Sequence, residues 1–147
     1  MIVLYNISKH ILKIAFLFAF TSVYSQNPLK ILPLGNSITY DSRNFDSRPT
    51  GDKISYRYKL YSLLTQNGYE IDFIGSYRSG WNYFEDCDNA GFTGIDSKNL
   101  ADIIQSGTSA FTGKVVDGPY MNYYPADVIL LEIGTNDVFA GKYSVSE

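Results

Sequence analysis

A chain of 147 residues with 12 Lys and Arg against 15 Asp and Glu has a formal charge of −3, without a basic cluster. That excludes a nucleic-acid partner, because phosphate binding needs a concentrated basic surface. One cysteine, Cys87, and one histidine, His10, exclude an internal disulfide framework and any metal site built from Cys and His. No metal or cofactor is expected.

Residues 1–25 read as a secretory signal peptide. Lys9, His10 and Lys13 precede an apolar run from Ile14 to Phe20, and small residues lead to "VYS" before Gln26. The run is well short of the ~20 residues that span a bilayer, and a cut after Ser25 places Val23 and Ser25 at the small-residue positions. The expectation is a secreted or periplasmic protein with no membrane association after cleavage. Removing 25 of the 147 residues leaves 122, with 10 basic and 15 acidic side chains, a net of −5, and no histidine. Cys87 is read as a partly buried free thiol.

"LKILPL" (29–34) is a short apolar run closed by Gly35, as suits a buried strand delivering Ser37 to a turn. In "DKISYRYKLYSLLTQNG" (52–68), Ile54, Tyr58, Tyr61 and Leu64 recur at spacings of three and four, and Gly68 stands at the end; this predicts a helix. "YEIDFIGS" (69–76) reads as a second strand. Residues 77–95, rich in Gly, Asn, Asp and aromatics, read as a long loop.

Ser97 to Gln105 predicts a shorter helix with Ile95, Leu100, Ile103 and Ile104 as its apolar positions. Residues 106–125 read as irregular. Val128 to Ile133, nearly all apolar, predicts a central parallel strand covered on both faces. Strands alternating with helices predict a parallel sheet with right-handed crossovers, and order 2-1-3 would put Ser37 and the "GTND" turn (134–137) at one crevice.

These segments resemble the SGNH (GDSL-type) hydrolases. "GNSIT" (35–39) is similar to the first block of that family, with Asn36 where Asp is commoner; "GFTG" (91–94) is similar to the second block and "GTND" to the third. The resemblance implies a three-layer α/β/α flavodoxin-like fold with a parallel sheet and later strands missing. It implies Ser37 as nucleophile, with Gly94 N–H and the Asn136 side-chain amide joining Ser37 N–H in the oxyanion hole. Gly91 reads as an ordinary loop glycine. "SYRYKLYSLLTQNGYEIDFIGS" (55–76) and "PADVILLEIGTND" (125–137) resemble the secreted carbohydrate esterases of that superfamily, the acetylxylan-esterase-like group. This implies an acetylated polysaccharide or oligosaccharide as partner, with Trp81 and Tyr83 as candidate sugar contacts.

One part of that chemistry is missing. A serine hydroxyl needs a positioned base, which in this family comes from a D-x-x-H block, and the sequence after Ser25 has neither the block nor a histidine. Asp41, Asp46, Asp88, Asp137, Lys53 and Lys59 lack the natural pKa for the task. Residues 26–147 are therefore expected to be the N-terminal part of an SGNH hydrolase domain, with little or no esterase activity by themselves. The alternatives are a non-catalytic carbohydrate-binding relic using Trp81, Tyr83 and Phe84, or an acyl hydrolase of lysophospholipase or thioesterase type.

Overall fold

The computed structural model describes residues 27–139; the segment read as a signal peptide, with His10, lies outside them. Strand β1 (Leu29–Gly35) leads through Asn36 into the single-turn helix α1 (Ser37–Tyr40). A 3-10 turn at Thr50–Asp52 precedes helix α2 (Ser55–Gln66), which is followed by strands β2 (Ile71–Phe73), β3 (Tyr77–Arg78) and β4 (Asp88–Gly91). Helix α3 (Ser97–Ser106) leads to the small hairpin β5 (Thr108–Ser109) and β6 (Gly113–Lys114). A 3-10 turn at Tyr120–Asn122, strand β7 (Val128–Glu132) and helix α4 (Thr135–Phe139) complete the described chain.

Three strands run parallel in the expected order, with β2 and β7 on opposite edges of β1, since Ile31 pairs with both Phe73 and Val128. The segment read as a loop departs from expectation: Leu34 and Gly35 pair in parallel with Ala90 and Gly91 of β4, which in turn pairs antiparallel with β3. β2 and β4 thus share one edge of β1 in succession. Pro33, with no N–H to donate, faces that edge where β2 has ended and β4 has not begun. β4, "DNAG", shows no apolar alternation, so periodicity could not reveal it. The second strand is shorter than expected, and residues 106–125 contain the β5–β6 hairpin.

Alternation along β1 divides the core. Ile31 packs with Phe73, Phe84 and Cys87 beneath α2, whose Ile54, Tyr58, Tyr61 and Leu64 lie against that cluster at the predicted spacing. Leu32 and Leu34 pack on the other face with Ile95, Leu100, Ile103 and Tyr120 beneath α3. Cys87 is fully buried.

β7 does not meet the expectation of a strand covered on both faces. Val128, Ile129 and Leu131 are 37%, 46% and 59% exposed, and among the described residues no strand pairs with its outer edge.

Candidate active site

β1, β4 and β7 all end on the same side of the sheet, and the turns that follow them form the site. Register fixes the first relationship: Gly35 lies opposite Gly91 on one side and Glu132 on the other, so Ser37 follows by two residues and Asn136 lies four beyond Glu132.

Ser37 is the first residue of α1, half-buried. The helix beneath it is held by contacts from four residues, Asn36, Asp41, Tyr56 and Arg57. Asn36, fully buried, caps it by accepting from Ile38 N–H at 2.8 Å. At the other end Asp41, at φ 70°, donates its N–H to Ser37 C=O. The Asp41 carboxylate accepts from Ile54 and Ser55 N–H at 2.9 and 3.0 Å, supplying from 13 residues away the cap that Ile54 lacks at the start of α2. Thr39 Oγ1 lies 3.3 Å from Tyr56 Oη.

The fourth contact is Arg57, buried in the first turn of α2 with no carboxylate in ion-pair contact. Its guanidinium donates to the C=O of Thr39 at 2.9 Å, Lys53 at 2.8 Å, Ser79 at 3.1 Å and Cys87 at 3.0 Å, and to Ser79 Oγ at 2.8 Å. Burial holds its pKa below the usual arginine value, while the carbonyl dipoles satisfy its donors. Arg57 ties α1 to the 79–87 segment, a role that helical periodicity does not announce.

Gly94 follows β4 at φ +83°, a backbone conformation suited to glycine, and a Cβ there would meet the Phe111 ring at 3.0 Å. Gly91 is a buried strand residue rather than the loop glycine expected: a Cβ on it would lie 2.4 Å from Tyr40 N, so its lack of a side chain lets α1 settle onto the sheet.

Asn136, at the start of α4, donates through Nδ2 to Ile95 C=O at 2.7 Å, one residue beyond Gly94. Its second amide N–H has no acceptor among the described residues. Asp137, read from sequence as a turn residue, is buried and accepts from Ser97 N–H at 3.1 Å. The second and third blocks are therefore joined by two adjacent side chains.

Asn36 Nδ2 lies 3.4 Å from Glu132 Oε1, which also accepts from Thr135 Oγ1 at 3.3 Å; Glu132 Oε2 is buried without a partner. A neutral amide at position 36 avoids setting a second carboxylate against this one.

The acidic side chains weighed from the sequence as a base are engaged elsewhere. Asp41 and Asp46 both pair with Arg48, which holds their carboxyls below the usual range. Asp137 caps α3, and Asp88 lies 4.0 Å from Arg78. Among the described residues no group of three or more His, Cys, Asp or Glu is placed to hold a metal ion.

Trp81 and Tyr83 are about half-exposed on the segment beside α2: the Trp81 indole abuts Gly51 and Tyr83 packs edge-on against Tyr58. Phe84 is buried. The aromatics that line the cleft beside α1 are Tyr40, Tyr77 and Phe92.

No family model matches the sequence. Over 128 residues, 81% of this chain, it is 34% identical to a multidomain esterase of Ruminococcus flavefaciens. It superposes on a family 3 carbohydrate esterase of Clostridium thermocellum with a TM-score of 0.61 and 33% identity over 80% of this chain. Its homologues are esterases. The chain spans 16% of the length of the multidomain esterase and 49% of the solved carbohydrate esterase. The described residues thus have a mixed α/β fold like that of the carbohydrate esterase.

Proposed function

We propose that this chain carries the nucleophile and the oxyanion-binding groups of an exported serine ester hydrolase, of SGNH type, whose substrate is an O-acetylated polysaccharide or oligosaccharide. The observation that carries the proposal is the 2.7 Å bond from Asn136 Nδ2 to Ile95 C=O. It fixes the amide beside Gly94 at the sheet end where β1 delivers Ser37. Export rests on the basic and apolar residues of 1–25, and the carbohydrate substrate rests on the similarity to carbohydrate esterases.

Ser37 Oγ attacks the ester carbonyl carbon, and charge developing on the carbonyl oxygen is met by Ser37 N–H, Gly94 N–H and the second Asn136 N–H. The sugar hydroxyl leaves with a proton, and water then cleaves the acyl-serine. The first step needs a group that takes the Oγ proton and passes it to the departing sugar oxygen, the second one that takes a proton from water and returns one to Oγ, and the residues after Ser25 include no histidine. A polypeptide with the oxyanion hole but no base keeps only ~10³–10⁴ over the uncatalysed rate. Residues 26–147 are thus a catalytic half-site with slow turnover of their own.

Imidazole in solution can stand in for the absent base, which gives the test. The expected result is saturable p-nitrophenyl acetate hydrolysis that rises with imidazole, above imidazole's own background, and is lost in Ser37→Ala. Asn136→Ala should lower the rescued rate ~10²–10³-fold. Equal rates in wild type and Ser37→Ala at every imidazole concentration would rule the nucleophile out.

A further inference from the structure

Beside α1 lies a cleft of about 300 Å³ lined by Tyr40, Tyr77, Gly91, Phe92, Thr93 and Thr112. That is the lower end of the roughly 300–1,000 Å³ range of small-ligand sites, room for one ring rather than a long chain. Tyr40 stands three residues after Ser37 on the same short helix, and residues at that spacing are surface neighbours about 5–6 Å apart at Cβ. The cleft therefore begins one turn from the proposed nucleophile.

Its wall is rigid. Tyr77 meets Tyr40 edge-on at 6.0 Å and Phe92 edge-on at 5.3 Å, and Phe92 in turn packs on the buried Tyr120 at 6.1 Å. Lys53 Nζ lies 5.5 Å from the centroid of the Tyr40 ring and fixes it further. Among the described residues neither Tyr40 Oη nor Tyr77 Oη has a hydrogen-bond partner, unlike the hydroxyls of Tyr56, Tyr120 and Tyr123.

Aromatic surface with unused hydroxyls suits a ligand that has apolar C–H faces and a rim of OH groups. The lining itself carries no carboxylate, arginine or lysine, and the nearby Lys53 ammonium lies over the Tyr40 ring. An acyl chain would leave both phenols unpaired.

We propose that this cleft binds the sugar ring bearing the ester, with Tyr40 and Tyr77 as specificity-determining residues whose hydroxyls bond sugar hydroxyls. The proposal rests on the esterase reading of Ser37 and extends it from the bond cleaved to the group recognised.

The test titrates the 147-residue chain with xylotriose and, separately, butyrate, following binding by calorimetry and by tyrosine NMR signals. Xylotriose should bind and shift Tyr40 and Tyr77. Tyr77→Phe and Tyr40→Phe should each weaken binding about 2–10-fold, the worth of one hydrogen bond, while Tyr69→Phe at the far end of β2 leaves affinity unchanged. Unchanged affinity in both cleft variants, no xylotriose binding, or butyrate displacing the sugar would each overturn the sugar subsite. If Ser37-dependent, imidazole-rescued hydrolysis survives such a result, only the subsite falls; if that hydrolysis is absent while xylotriose still binds through the tyrosines, the esterase reading falls instead.

Discussion

Asp137 accepts from the backbone N–H of Ser97 across 40 positions of sequence, its two oxygens each 3.1 Å from that nitrogen, and from Ser97 Oγ as well. An acidic side chain from the turn after β7 thereby sits at the start of α3, alongside that helix's own cap, Asp96. The positive end of the helix favours both anions. The neighbouring Asn136 bonds Ile95 C=O, so the geometry of the proposed oxyanion hole depends on this clasp.

Asp137→Ala is expected to cost about 2 kcal/mol in a urea melt, because charge-assisted bonds to a buried carboxylate are worth ~1.5–3 kcal/mol. It should also reduce imidazole-rescued hydrolysis by about 10²-fold, since a 1 Å displacement of positioned groups costs that much. A rate unchanged per folded molecule would show that Gly94 and Asn136 hold their places without it.

Arg57 makes a stronger prediction for the fold. Arg57→Met leaves the C=O groups of Thr39, Lys53, Ser79 and Cys87 without their donor in a buried place, at about 1–3 kcal/mol for each one left unsatisfied. Allowing for relaxation, the expected loss is about 3–5 kcal/mol, read as the urea midpoint. Arg57→Lys should recover little, because one ammonium cannot reproduce a planar fork directed at four carbonyls. Full recovery by lysine would mean that charge, not the shape of the donor set, is what the site uses.

The parts of this protein legible in sequence are those whose apolar residues repeat. β1, α2 and α3 are readable because Ile31, Leu32 and Leu34, then Tyr58 and Tyr61, then Leu100 and Ile103 reach a core; β7 is readable as a strand from its apolar run, although Val128, Ile129 and Leu131 are exposed. β4 is not, because "DNAG" is held by its backbone pairing to Leu34 and Gly35 and by Asn89, whose Oδ1 accepts from Gly91 N–H. Hydropathy carries no record of either. Ser37, Gly94 and Asn136 could be named from short motifs, yet the side chains that set them in place, Arg57, Asp41 and Asp137, reveal themselves only through partners distant in sequence. Tyr40 and Tyr77 were hidden for a similar reason: 37 residues separate them, and the β3–β4 hairpin brings them together.

Asp86 should make stability fall as pH rises. Burial raises its carboxyl to about 6, only partly opposed by the bond it accepts from Phe73 N–H at 2.7 Å. The folded chain therefore holds this proton more tightly than the unfolded chain, for which 3.8 applies. Its cost is absent below pH 4, grows between pH 4 and 6, and is complete above that. Discounted because the group is half-exposed, the cost is about 1 kcal/mol. Asp86→Asn keeps an acceptor for Phe73 and should raise stability by about that amount at pH 7 and by nothing at pH 3.5. An equal gain at both pH values would assign the effect to packing rather than ionisation.

The neutral residue at position 36 makes the last prediction. Asn36→Asp keeps the oxygen that caps α1 but replaces the N–H facing Glu132 Oε1 at 3.4 Å with a second buried acid. Two carboxylates so close cannot both ionise without a large cost, so one must hold its proton to a higher pH. At pH 7 the variant should be less stable than wild type by about 2 kcal/mol, a difference shrinking towards zero as the pH falls to 4 and the new acid can donate to Glu132. Adding Glu132→Gln should abolish the pH dependence and restore most of the loss, a coupling that a double-mutant cycle measures directly. Independence of the two substitutions would mean that Glu132 does not face position 36 in solution, and the choice of Asn there would need another physical cause.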